Sequence, residues 1–342
     1  MQLLNTLYVT LPDAFLRLDN DTLRVEVERE SRLQVPLHHL TSVVCLGNVG
    51  FTTPLAHRLA EAGIALVLLD ANGRFKARLE GPVAGNILLR QAQHAKAADP
   101  AFALDTARAC VAGKIKNARQ VLLRGARESK QAVEAAQLAR GADDLAAALR
   151  GLPQAATLDE VRGVEGDAAR RYFERLPLLV RPDAREDFRM DGRTRRPPRD
   201  RFNALLSFLY SMWMNDCRSA CEAAGLDPQL GFLHAVRPGR AALALDLMEE
   251  FRAQADRLAL TLINRSQLSA GDFVQREGGA VLLDGDARKS VVVAYQERKK
   301  DELAHPLLAQ PLPLGLVPLV QARLLARAIR GDTEGYLPFV PR

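Results

Sequence analysis

The feature that most restricts this chain is a change of period near residue 80. Before it, apolar residues alternate or fall in short β-branched runs, "LLNTLYVT", "AFLRL", "TLRVEVE", "RLQVPL" and "LTSVVCL", separated by polar breaks such as "DND" at 19–21. Beyond about residue 86 they recur three and four apart, so that Val111, Ile115, Ala118 and Leu122 share one stripe. A period of two belongs to pleated strands and one of 3.6 to helices. An α+β chain is expected, with a small β-rich N-terminal domain over residues 1–80 and a larger all-α domain over 81–342. At 342 residues and 48% hydrophobic, the chain can bury two cores without help from metals or disulfides.

Local signals refine this outline. Leu23, Val25 and Val27 alternate with charges, as in a sheet with one wet face. "TPLAHRLAEAG" reads as a short helix with Thr53 capping before Pro54 and Gly63 at its end. The strand "IALVLLD" and the Asn72-Gly73 pair in "NGRFKARLEG" suggest a hairpin. Thr157 with Glu160 reads as a capping box before "VRGVEGDAARRYFERL". "FNALLSFLYSMWMNDCRSACEAAG" is apolar almost all round and is expected at the centre of a core. Between 181 and 201, "RPDAREDFRMDGRTRRPPRDR" sets eight arginines against five acids around Pro197-Pro198, the pattern of an exposed basic loop.

The formal net charge of +6, from 47 basic and 41 acidic residues, is compatible with nucleic acid, an anionic surface or neither. No run of eighteen apolar residues and no signal-like start is present, so a soluble, cytoplasmic protein without a membrane segment is expected. Cys45, Cys110, Cys217 and Cys221 lack metal-knuckle spacing and read as buried thiols.

Chemistry concentrates in "GFLHAVRPGRAALALDLMEEFR", residues 231–252. In a helix starting after Pro238-Gly239 and turning about 100° per residue, Leu243, Leu247, Phe251 and Leu258 share one face. Asp246, Glu249 and Asp256 gather on the other. That acidic face is either solvated or part of a site. Glu165 is a second acid of interest, on a stripe with Ala169 and Tyr172 where small residues at 168 and 169 permit close approach; alone, it reads first as an ordinary surface glutamate. His234 is either a structural hydrogen-bonding residue or a ligand. Together, Glu165, His234 and Glu249 offer one carboxylate from each of two helices and an imidazole from a loop. Such donors suit Mn²⁺ or Mg²⁺ better than structural zinc, and imply metal-dependent phosphodiester chemistry. Asp246 can bind the ion itself or orient His234 from behind, the latter ranked first. Glu250, turned away from Glu249, is expected at the surface or in a salt bridge.

"EGDAARRYF", "RRPPRDRFNALLSFLYSMW" and "GFLHAVRPGRAALALDLMEEFR", in this order, resemble the CRISPR-associated integrase of the adaptation module, especially its subtype I-C branch. The tail segments "DARKSVVVAYQERKKDELAHPL" and "PLGLVPLVQARLLARAIRGD" extend the likeness over nearly the whole chain. Ala253 departs from a proline that many members carry. The resemblance implies a β-rich N-terminal domain, an α-helical catalytic domain, a homodimer, and a complex in which two dimers flank a dimer of a small ferredoxin-like partner. By motif it carries the family's metal-binding glutamate, histidine and second carboxylate to Glu165, His234 and Glu249, and an additional acidic position to Asp246. The implied reaction is attack by the 3′-hydroxyl of a captured DNA fragment on the leader-proximal repeat of a CRISPR array, then a second attack on the other strand. Hydrolysis is the same chemistry with water.

DNA must then be gripped. Lys116, Gln120 and Arg124 share an arc opposite the apolar face of their helix, while Arg237, Arg240 and Arg252 flank the proposed site. Arg240 and Arg252 rank first, against salt bridges to Glu250 or Asp256. Tyr172 and Tyr8 offer either stacking on DNA or packing, and the arginine-rich loop at 189–201 faces DNA or the other subunit. Two further readings stand beside the integrase: a non-catalytic DNA-binding scaffold and a metal-dependent repair nuclease.

Overall fold

The computed structural model describes residues 6–70, 75–79, 81, 87–308 and 311–341; the Asn72-Gly73 turn lies outside them. Two compact units emerge, Met1–Gly85 with Leu283–Lys300, and Asn86–Leu282 with Asp301–Arg342.

The first unit is built on strands β1 (Thr6–Val9), β2 (Phe15–Asp19), β3 (Thr22–Val27), β4 (Glu30–Pro36), β5 (Ser42–Leu46), β6 (Gly50–Phe51), β7 (Ala65–Leu69) and β8 (Phe75–Leu79), with helix α1 (Thr53–Glu61). They form two four-stranded sheets, ordered β1-β5-β7-β8 and β4-β3-β2-β6. In the first, β1, β5 and β7 run parallel and β8 returns antiparallel. In the second, Leu16 pairs with Val25 and Leu18 with Leu23, so the alternation seen in sequence places these side chains on one face. Leu16, Leu23 and Val25 join Val43, Cys45 and Leu66 of the other sheet and Leu55 and Leu59 of α1 in one core. The cap of α1 is Thr52, not Thr53: its hydroxyl accepts the Leu55 N–H at 3.4 Å, from a residue still extended. Gly63, at φ +67°, follows the helix end as expected.

Most of the second unit is helical: α2 (Ile87–Ala98), α3 (Pro100–Glu128), α4 (Ala132–Gly151), α5 (Leu158–Arg175), α6 (Arg201–Ala223), α7 (Ala242–Met248) and α8 (Arg252–Asn264). β9 (Phe273–Gln275) and β10 (Val281–Leu283) follow, then α9 (Gly285–Lys300), which belongs to the first unit, and the second unit resumes with β11 (Glu302–Ala304), β12 (Pro311–Pro313) and α10 (Val317–Arg330). The paired ribbons β9-β10 and β11-β12 correct the all-α expectation beyond residue 81. Pro306, Pro311 and Pro313 deny a helix its donors around the second ribbon. Asp99 caps α3 through the N–H groups of Ala101 and Phe102. Thr157 caps α5 through Glu160 N–H, but the Glu160 carboxylate turns back to Ala156 N–H, one residue short of a closed capping box.

Helix α6 is central, burying Phe202, Leu205, Leu209, Met212, Trp213 and Cys217. All four cysteines are buried as thiols. The stretch 181–200 forms no α-helix, as its prolines require, yet it is not simply exposed. Phe188 and Met190 are buried. The Arg185 guanidinium forks onto Glu134 at 2.5 and 2.9 Å, and Arg193 donates to Asn203 at 2.7 Å and Ser207 at 3.1 Å. Part of the arginine excess thus fastens the loop to helices. Among the described residues, no helix is long and apolar enough to cross a membrane.

Candidate metal centre

The helix expected from residue 240 is broken where its acids lie. α7 ends at Met248, one 3₁₀ turn runs Glu249–Phe251, and α8 begins at Arg252. A 3₁₀ turn winds more tightly, so side chains after it leave the register of those before it. Asp246, Glu249, Glu250 and Asp256 are each 2% exposed or less. This excludes a solvated acidic face and corrects the expectation that Glu250 is superficial. A buried carboxylate needs compensating partners, and each of these four has its own.

Asp246 organises the loop before α7. Its Oδ2 accepts the N–H of Phe232 at 2.6 Å and of Leu233 at 3.0 Å, while Oδ1 accepts the His234 N–H at 2.9 Å. The same Oδ1 meets His234 Nδ1 at 2.7 Å. The other ring nitrogen, Nε2, then points to Glu249, 3.9 Å from Oε1. Gly231 is what admits this approach: a Cβ there would lie 2.6 Å from Asp246 Oδ2 and 2.7 Å from the Ala242 carbonyl carbon. From α2, buried Gln93 donates to the carbonyls of Asp227 and Leu230, both at 2.9 Å. Arg162 of α5 donates to the Leu233 carbonyl at 2.8 Å, tying the histidine loop to the helix that carries Glu165.

Glu249 is held by two cations. Arg252 closes a fork on it, with Nε and Nη2 each 2.7 Å from a carboxylate oxygen. Lys114 Nζ lies 2.6 Å from Oε2 and also contacts Glu165. Burial alone would raise the Glu249 pKa, but Arg252 and Lys114 outweigh it and hold this carboxyl well below the usual range. Arg252, expected on DNA, is instead committed to Glu249 and stacks 4.7 Å from the Tyr210 ring centroid. Its partner is neither Glu250 nor Asp256.

Lys114 is the residue that sequence reading missed. It sits on the stripe Val111, Lys114, Ala118, Val121, whose three apolar members are buried, and a lysine in such a stripe was the available signal. Lys116, two residues on, is turned about 200° away and is exposed. Arg124 is exposed and pairs with Glu128 at 2.7 Å. Arg237 is exposed on the histidine loop and Arg240 is half-buried there. Neither Lys116 nor Arg124 shares the face that meets Glu165 and Glu249.

Glu250 faces the C-terminal segment. It accepts from Tyr336 Oη, from Gln321 Nε2 at 2.9 Å and from Phe339 N–H at 2.6 Å, and burial still pushes its pKa up to about 8. Asn117 of α3 donates to the carbonyls of Glu250 and Phe339, both at 2.9 Å. The rings of Trp213, Phe251, Phe339 and His305 stack in sequence, with centroids 5.0, 5.7 and 5.8 Å apart. The 3₁₀ turn bearing Glu249 is thereby clamped from behind.

Asp256 accepts from Tyr172 Oη at 2.9 Å and Tyr210 Oη at 2.5 Å, and burial pushes it up to about 6. Tyr172 is therefore a packing and hydrogen-bonding residue, 4% exposed. A small cavity of about 20 Å³ lies beside it, lined by Lys114, Ala168, Ala169, Tyr172, Tyr210 and Arg252 among others.

Two carboxylates meeting at one point of positive charge, with a free imidazole nitrogen alongside, form a donor set suited to a hard divalent cation. As the side chains stand, that charge is an ammonium. Among the described residues, no group of three or more His, Cys, Asp and Glu side chains converges as a metal cluster.

Residues 7–297 match the family model described as CRISPR associated protein Cas1. A CRISPR-associated endonuclease Cas1 from Moorella thermoacetica is 55% identical over 341 residues, covering 99% of both chains. A chain of a Cas6-RT-Cas1–Cas2 complex superposes with a TM-score of 0.83 at 26% identity, over 98% of this chain and 36% of that one. A casposase bound to its integration product also superposes with a TM-score of 0.83. That second likeness covers 98% of this chain and 92% of the casposase at 20% identity, a similarity of fold alone.

Proposed function

Because the chain belongs to the CRISPR-associated Cas1 family, we propose that it is a metal-dependent DNA endonuclease and integrase of CRISPR adaptation. On its sequence motifs it falls in the subtype I-C branch. It joins the 3′-hydroxyl of a captured DNA fragment to the CRISPR repeat by transesterification, and it cuts DNA when water replaces that hydroxyl. One run of contacts supports this most: Asp246 on His234, His234 facing Glu249, and Glu249 linked through Lys114 to Glu165.

Glu165, His234 and Glu249 would hold Mn²⁺ or Mg²⁺, which when bound neutralises and polarises the phosphodiester. The chain's own groups prepare that chemistry. Asp246 fixes the imidazole so that Nε2 is the nitrogen presented to the site. Arg252 holds both oxygens of Glu249 in one orientation. Arg237 and Arg240, on the loop that carries His234, are placed to grip a phosphate backbone, and Lys116 and Arg124 would extend that grip along α3. The protein works as a homodimer with a small ferredoxin-like partner, an assembly for which the Cas1–Cas2 name of a structural relative is the available support.

The test is strand transfer by purified protein on a branched DNA that mimics a half-inserted fragment, in Mn²⁺ or in EDTA. Metal-dependent joining is expected from the wild type and is lost in Glu165→Ala, His234→Ala and Glu249→Ala, with DNA affinity retained. Normal joining by Glu249→Ala would overturn the site. Nicking without joining would instead favour a repair nuclease.

A further inference from the structure

We propose that Lys114 is an exchangeable counter-ion of the metal centre: its ammonium bridges Glu165 and Glu249 in the metal-free protein, and a divalent cation enters by displacing it. This inference rests on the metal-site reading above, and its test separates the two.

Two observations carry it. Lys114 is the group in which the two proposed acidic ligands meet, since its Nζ contacts Glu165 and lies 2.6 Å from Glu249. Its side chain is only 11% exposed, so solvent does little to screen these contacts. Beyond that, the two cations on Glu249 differ in freedom. The Arg252 guanidinium occupies both carboxylate oxygens as a planar fork and is packed on the Tyr210 ring. Lys114 holds a single oxygen of Glu249 through a flexible four-carbon stem.

Glu165, Glu249, Arg252 and Lys114 sum to zero, whereas the two glutamates with Arg252 alone carry one uncompensated negative charge. An arriving divalent cation must therefore either share the site with an ammonium or expel it. At such short separations like charges repel strongly, so expulsion is favoured and binding becomes an exchange of cations. Without the lysine charge, metal meets the carboxylates with no competitor.

The experiment titrates the full-length protein with Mn²⁺ and follows the free ion by electron paramagnetic resonance, which does not depend on turnover. Lys114→Met and Lys114→Gln should both bind Mn²⁺ about tenfold more tightly than wild type. In EDTA both should melt below wild type, and Mn²⁺ should narrow that difference. A parallel readout uses wild type alone: acylation of Lys114, followed by mass spectrometry, should rise on adding Mn²⁺. Unchanged or weaker Mn²⁺ binding by both variants, with native melting in Mn²⁺, overturns the exchange while leaving the metal site standing. Absence of saturable Mn²⁺ binding in wild type and both variants overturns the site itself, and the exchange with it.

Discussion

Asp246 illustrates how much one side chain can organise. Both of its oxygens accept, receiving three consecutive backbone N–H groups and His234 Nδ1. Asp246→Asn keeps the size but turns an amide NH₂ toward N–H donors. It should lose about 1 to 3 kcal/mol by chemical denaturation, and strand transfer should fall with it because the imidazole loses its orienting acceptor. Asp256 gives a pH test. Its pKa is raised to about 6 by burial, against hydrogen bonds from Tyr172 and Tyr210 and the charges of Arg252 and Arg193. Between about pH 4 and pH 6 the native state therefore binds more protons at this residue than the unfolded state does, and its contribution to stability falls as pH rises through that window. Asp256→Asn should flatten that part of the stability profile. An identical slope in both proteins would show that Asp256 does not titrate there. At this scale Glu165, His234 and Glu249 were legible as chemically apt residues, while Lys114 was overlooked because a lysine amid alanines and valines gives no sign of which acids it will face.

At the scale of elements, local signals read well and breaks in them read poorly. The caps of α1 and α5 came within a residue or two of their observed form, because capping depends on neighbours three positions away. Thr52→Ala should cost about 1 kcal/mol in thermal or chemical melting, and Thr53→Ala far less. The 3₁₀ turn at Glu249–Phe251 had no sequence marker, since no proline or glycine interrupts "DLMEEFR". Its neighbours are distant: Asn117 holds its backbone carbonyl at Glu250, and Phe339 stacks on its Phe251. Phe339→Ala should destabilise the protein by roughly 3 to 5 kcal/mol, and a drop under about 1 kcal/mol would show that the C-terminal segment does not clamp this turn.

For the molecule as a whole, charge is sorted into two uses that composition cannot separate. Arg185, Arg193 and Arg252 are consumed internally by Glu134, Asn203 and Glu249, whereas Arg237 remains exposed and Arg240 half-exposed. The double variant Arg237→Ala, Arg240→Ala should weaken DNA binding across sequences. It should also flatten the logarithmic salt dependence by about 0.9 for each phosphate that is no longer neutralised. An unchanged salt slope would place the DNA elsewhere. The strand-rich beginning, the helical remainder and the central place of α6 were all written locally, because the period of apolar residues depends only on the pleat or turn that repeats it. Burial of all four acids, the choice of Arg252's partner and the placing of Lys114 between two glutamates were decided only by tertiary structure. The Lys114 contact to Glu165 spans 51 positions and the Asn117 contact to Glu250 spans 133. No periodicity encodes which distant side chain will neutralise a buried charge; that follows from which helix faces the packed core brings together.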